Sequence, residues 1–207
     1  MSINDIPTVR VNCPNGCCGF KVAVGKSATC PICKRTWIPD IPFSKDWAFN
    51  ERLQSIADAV YSNIWQVKQI QRNLGSLDKD RGIDVHLQLV SGLTFDIQEK
   101  FRRAEARHYW QFTVEYKNNP VTGEPGEFYK LAANYYFYAY VNKLENCFTD
   151  WFIVDLNSFK EAYNSGLLKE DELRENTLRS KASFLCFNWS EMSPFIFRES
   201  GWQTKVR

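Results

Sequence analysis

Ile83-Asp-Val-His-Leu-Gln-Leu-Val-Ser-Gly-Leu-Thr-Phe-Asp-Ile-Gln-Glu-Lys-Phe101 is the stretch whose reading decides the fold. Apolar and polar residues alternate on both sides of Val90-Ser91-Gly92, the pattern of two strands joined by a tight turn. With a side-chain period of two, Ile83, Val85, Leu87 and Leu89 face one way and Asp84, His86 and Gln88 the other. On the second strand Leu93, Phe95, Ile97 and Phe101 form the buried set. Asp96, Gln98 and Lys100 share the opposite face, which the hairpin brings beside Asp84. A carboxylate, an amide or second carboxylate, and an ammonium then converge. Oxygen ligands of this kind hold a hard divalent cation, and a lysine beside them orients water and stabilises charge developing on a phosphate.

Upstream, apolar residues recur at Phe49, Leu53, Ile56, Ala57, Val60, Ile64, Val67 and Leu74, which predicts an amphipathic helix from Asp46 to about Leu74. Downstream, Trp110, Phe112, Val114 and Tyr116 alternate with polar residues and predict a third strand over 109–116. The turn-rich Asn118 to Gly126 precedes an expected helix over 127–144. A short strand over 150–155, a helix from Ser158 and a strand over 183–189 complete the order. Helix, three strands, helix, strand, helix, strand describes a mixed α/β domain with one central sheet.

The N-terminal segment is of another kind. Five of the seven cysteines lie between positions 13 and 33, as Cys13-Pro-Asn-Gly-Cys17-Cys18-Gly19 and Cys30-Pro-Ile-Cys33. Two close pairs a dozen residues apart describe a zinc ribbon, in which four thiolates close a tetrahedral Zn²⁺ with no open position, so the metal is structural. Cys13, Cys30 and Cys33 are three of the ligands. The fourth is Cys18 or Cys17, and Gly19, supplying a positive-φ turn just past the knuckle, favours Cys18. Thr8–Val11, Phe20–Val24 and Lys34–Trp37 read as its strands. Ile38-Pro-Asp-Ile-Pro-Phe43 reads as a linker, giving a ribbon over 1–38, a linker over 39–44 and an α/β domain over 45–207. Gly25-Lys26-Ser27 shares three residues with a phosphate-binding loop, but the preceding glycine is wrongly spaced and no ATP site is expected.

Composition limits the classes further. Among 207 residues, 26 basic against 24 acidic side chains exclude a uniformly basic nucleic-acid coat and an acidic tail. No apolar run approaches a membrane span. The start has neither the basic nor the apolar region of a signal peptide, so the expectation is an intracellular protein, cytoplasmic or nucleoid-associated, with reduced thiols. Cys147 and Cys186 are then buried thiols. Two histidines, His86 and His108, exclude a multi-histidine metal site, and no nucleophile elbow lies near either.

Asp84, a gap of 13 residues, then Gln98-Glu99-Lys100 on the next strand, behind a helix and ahead of a strand and a helix, resembles the PD-(D/E)XK nuclease superfamily over about residues 45–160. The resemblance implies a restriction-endonuclease-like mixed sheet flanked by helices, with Mg²⁺ or Mn²⁺ as catalytic cofactor. It makes Asp84 the central metal ligand and Lys100 the catalytic lysine. Gln98 stands where an acid is usual, with Asp96 nearby as a candidate to compensate. A further acid from the first helix, Glu51 or Asp58, is implied by the same likeness, against the plainer reading that both face solvent. Asn134-Tyr-Tyr-Phe-Tyr138 is similar to the Gln-x-x-x-Tyr pair of RecB-like members, with Lys130 and Asn134 and Tyr138 on one helix face; core packing is the alternative. Arg102, Arg103 and Arg107 follow the lysine as candidate phosphate contacts, and Glu115 lies on the polar side of the third strand.

The expectation is a metal-dependent nuclease acting on nucleic acid, DNA favoured, with the ribbon assisting binding and a homodimer or larger complex left open. A catalytically inactive scaffold and a zinc-ribbon adaptor are the alternatives.

Overall fold

The computed structural model describes residues 8–23, 27–37, 42–72, 80–175 and 182–200, with side chains described in all of these except 8–11, 23, 37 and 42–47. Two compact units divide the chain, residues 1–54 and 55–207. Residues 39–41 of the expected linker lie outside the described residues.

In the first unit, β1 (Thr8–Asn12) and β2 (Gly19–Ala23) pair antiparallel, with Asn12 opposite Gly19. A second antiparallel pair joins β3 (Ala28–Thr29) to β4 (Thr36–Trp37). The turn of each pair carries cysteines. Helix α1 (Pro42–Ile64) begins within the stretch read as linker and runs through the boundary between the units. Its first residue is a proline, whose missing N–H leaves no helical bond unmade there.

Helix α1 stops well short of Leu74. Val67–Arg72 forms β5 instead, pairing antiparallel with β6 (Val85–Leu89), so that Ile70 lies opposite Leu87. Val67 continued the helical spacing of α1 only by coincidence, and the alternating segment gains more by entering the ladder. β6 and β7 (Thr94–Arg102) form the expected hairpin, with Val85 opposite Ile97 and His86 opposite Asp96.

The expected helix over 127–144 is a second correction. Only Glu127–Lys130 is helical (α2), and Tyr135–Val141 is β10, a central strand parallel to β7. Tyr-Tyr-Phe-Tyr-Ala-Tyr-Val is aromatic and β-branched, and residues 136–141 are buried on both faces, so it shows no alternation by which to recognise a strand. β11 (Phe148–Asp155) pairs antiparallel with β10, and β14 (Ile196–Glu199) closes that edge. The six-stranded mixed sheet runs β14-β11-β10-β7-β6-β5.

The strands expected over 109–116 and 183–189 exist but leave this sheet. β8 (Gln111–Asn119) and β13 (Ser183–Asn188) pair with each other and, with β12 (Glu172–Glu175) and β9 (Glu124–Pro125), form a second, antiparallel sheet in the order β12-β13-β8-β9. The two sheets bury an aromatic layer between them. The Phe112 ring lies 5.2 Å from Tyr136 and 5.4 Å from Tyr138, and Phe152 lies 3.9 Å from Trp189. Helices α3 (Leu156–Asn164) and α4 (Trp189–Met192) add Phe159, Trp189 and Met192 to this core. Asp155 caps α3, accepting a bond from the Ser158 amide at 3.0 Å. On the other face of the large sheet, Phe137 meets Tyr61 of α1 at 5.3 Å. Burying aromatic side chains of this size stabilises the fold by about 1.5–3 kcal/mol each. Among the described residues no helix is long and apolar enough to cross a membrane.

Candidate functional site

The cysteine cluster is built twice over by the same turn. The Cys13 amide bonds the Cys18 carbonyl and the Cys30 amide bonds the Arg35 carbonyl, each at 2.9 Å. Each turn has one left-handed residue, Gly16 (φ 71°) and Lys34 (φ 59°). The glycine that supplies the positive φ is therefore Gly16, not Gly19, which opens β2. Amides aim at sulfur in both turns, Asn15 N–H at Cys13 Sγ and Cys33 N–H at Cys30 Sγ, each at 3.4 Å. Burial pushes the Cys30 thiol up, but the Cys33 and Ile32 amides, together with hydrogen bonding from the Cys33 and Cys13 thiols, outweigh it and bring its pKa to about 6.

The sulfurs of Cys13, Cys17, Cys30 and Cys33 all lie within 4.8 Å of one another. Cys13 and Cys33 are 3.6 Å apart, and Cys18 is 3.7 Å from Cys30. A tetrahedral Zn²⁺ with bonds of about 2.3 Å sets its sulfurs about 3.8 Å apart. The donors fit such an ion, and zinc can be held here. Asn15 braces the cluster, donating to Cys33 Sγ at 3.6 Å and accepting from Arg35 at 2.7 Å.

The second candidate centre lies on β7. Alternation sends Ile97 and Phe101 to the helix side and Gln98 and Lys100 to the side facing the second sheet, beside Tyr136 and Tyr138 of β10. Asp84 is tied to the backbone of β7. It precedes the β6 ladder; its amide bonds Ile97 O at 3.0 Å, and its Oδ2 accepts the Glu99 N–H at 2.7 Å. The carboxylate takes the place of a backbone acceptor where the ladder ends, and its two bonds bracket Gln98. Gln98 Oε1 is buried with no hydrogen-bond partner among the described residues. Gly82 (φ 54°) makes room for it, since a Cβ there would stand 3.3 Å from that oxygen.

Lys100 Nζ lies 3.7 Å from Glu127 Oε2 and 5.4 Å from the centre of the Phe184 ring. Glu127 also accepts a bond from the Tyr136 hydroxyl at 2.9 Å. Burial raises the Glu115 carboxyl, with Lys100 opposing and Glu127 adding to the rise. An ammonium thus stands among carboxylates on a partly covered face. Glu127 and Tyr136 went unrecognised in the sequence. The only local signal was Gly126, which packs so tightly on β8 that a Cβ would meet Glu115 O at 2.7 Å.

The other sequence-derived candidates disperse. Asp96 lies 2.7 Å from His86 Nδ1, so it is engaged across the hairpin rather than beside Gln98. Asp58 binds Arg72 at 2.7 Å, and Arg72 binds Glu99 at 2.7 Å. Because Glu99 alternates with Gln98 and Lys100, that network occupies the helix side of the sheet. Glu51 is an exposed residue of α1 within the first unit. Arg103 pairs with Glu145 at 3.2 Å, and Arg107 with Asp150 at 2.6 Å. Arg102 follows Lys100 on the same side of β7. Lys130, Asn134 and Tyr138 share no helix face, because β10 is a strand. Lys130 is exposed, Asn134 Oδ1 accepts the Asp96 amide at 2.8 Å, and buried Tyr138 bonds Thr113 at 3.1 Å. Cys186 is buried as expected, whereas Cys147 is exposed.

Comparison with protein-family models, with curated proteins and with solved structures finds no match to this chain.

Proposed function

We propose that the α/β unit is a PD-(D/E)XK-like, metal-dependent nuclease and that the cysteine ribbon helps to hold its nucleic acid, DNA in preference. The observation that carries this reading is the placing of Gln98 and Lys100 on one face of β7 with Asp84 bonded on either side of Gln98. Asp84 and Gln98 offer one carboxylate and one amide oxygen. Mg²⁺ commonly takes only one or two protein oxygens and fills its octahedron with water and substrate phosphate. A bound Mg²⁺ or Mn²⁺ would supply Lewis acidity and a more acidic water for in-line attack. Lys100 stabilises charge on the phosphate, and Glu127 holds the ammonium in place. Arg102 extends the positive edge towards the flanking phosphates.

A second reading, a non-catalytic scaffold, is favoured by the amide at position 98 and by the use of Asp84 Oδ2 as a backbone acceptor. Cleavage of DNA and RNA in Mg²⁺ separates the two. The nuclease reading expects activity that the Asp84→Ala, Lys100→Ala double variant lowers by about 10²-fold or more. Undiminished cleavage by that variant contradicts it.

A further inference from the structure

The ribbon carries five thiols for a metal that takes four. Cys13, Cys17, Cys30 and Cys33 form one close quartet. Cys18 stands 3.7 Å from Cys30 while Cys13 and Cys33 stand 3.6 Å apart, two separations that match the edges of a tetrahedral tetrathiolate site. Cys18 therefore borders the quartet at Cys30, next in sequence to the Cys17 that completes it. Cys17 and Cys18 are half-buried, while Cys13 and Cys30 are buried. The backbone before them is permissive: Gly16 has positive φ, and a Cβ there would meet nothing within 4 Å. Consecutive Cα atoms are only about 3.8 Å apart, so a small rotation at this turn exchanges one sulfur for the other.

We propose that Cys17 and Cys18 alternate as the fourth ligand of a single zinc ion, leaving one thiol unbound at any moment. As one sulfur binds, its proton passes to solvent, and the departing thiolate takes one up. The exchange conserves charge and needs no oxidant. The exchange is associative: the spare thiol attacks as the bound one departs, and the ion keeps four sulfurs throughout.

The full chain tests this as Cys17→Ser, Cys18→Ser, the double variant, and Cys33→Ser as a control. Each single variant is expected to hold one zinc by native mass spectrometry, with affinity within about tenfold of the parent. Each is also expected to show the full sulfur-to-Co²⁺ charge-transfer intensity of four thiolates when loaded with cobalt. The double variant and Cys33→Ser should lose about a quarter of that intensity. If one single variant behaves like the double variant and the other like the parent, the ligand is fixed and the proposal fails. A second measurement needs no variant. Brief alkylation of the zinc-loaded parent should mark one cysteine of the five, divided between Cys17 and Cys18. Labelling confined to one of them overturns alternation.

Discussion

Arg72 binds two acids at once, Asp58 and Glu99, each at 2.7 Å, and the Tyr61 hydroxyl donates to Glu99 at 2.6 Å. Glu99 and Arg72 are nearly buried, at 6% and 12% side-chain exposure. Burial alone would favour a neutral arginine, but the two acids more than offset it and hold the guanidinium charged. Removing one partner leaves a buried charge without its counterion, which costs about 3–5 kcal/mol. Arg72→Ala is therefore expected to lower the unfolding free energy, read from urea titration, by about 3–5 kcal/mol, and a change below about 1 kcal/mol would contradict the network's role. Glu115 makes the opposite case. Its folded carboxyl holds a proton to higher pH than in the unfolded chain, so its ionisation costs stability. The penalty is absent below the unfolded value and complete once pH passes the folded one. Glu115→Gln should then flatten the fall in melting temperature on going from mildly acid to neutral pH. The sides of the sheet taken by Gln98 and Lys100 were legible because strand alternation is a local rule. Asp84's bond to the Glu99 amide was not, since it arises only where the β6 ladder runs out.

Alternation made the hairpin and β8 legible, but β5 reads as a continuation of α1 and β10 as a helix. The hairpin β6–β7 shows its alternation in the sequence, and so does β8. β10 does not: its run of aromatic residues fits a buried helix or a central strand equally well, and only the parallel pairing with β7 decides. The same blindness hid the second sheet, because no local pattern says which strands a given strand will pair with. At the junction of β8 and α2, Gly126 sets how closely Glu127 can approach Lys100. Gly126→Ala places a Cβ 2.7 Å from Glu115 O, against backbone that cannot swing away. This overpacking is expected to cost about 1–3 kcal/mol and to lower any cleavage activity with it, read by thermal melting and by the nuclease assay. An alanine variant with parental stability would contradict the packing described.

At the scale of the whole molecule the two units carry unlike charge and unlike sources of stability. Residues 1–54 hold seven basic residues and four acidic, residues 55–207 hold 19 and 20. With zinc in the cysteine cluster, a unit with so small a core is expected to draw much of its stability from the metal, whereas the sheets keep an aromatic core of their own. Chelation of zinc should abolish amide protection over residues 12–37 and preserve it in β6, β7 and β10, as read by hydrogen exchange; loss of both would contradict the division. The β6–β7 hairpin behind a helix is the part of the architecture that alternation made legible, whereas the segments of β5 and β10 both read as helix; cysteine spacing made the cluster legible, but Cys17 rather than the favoured Cys18 completes the close quartet.

In the proposed nuclease, Asp84 and Gln98 together present a hard-cation site beside Lys100. Diffraction from crystals soaked in Mn²⁺, recorded at the manganese edge, tests it most directly. An anomalous peak is expected about 2.0–2.3 Å from an Asp84 carboxylate oxygen and from Gln98 Oε1, absent in Asp84→Ala crystals. Full soaking with no peak on that face of β7 would contradict it.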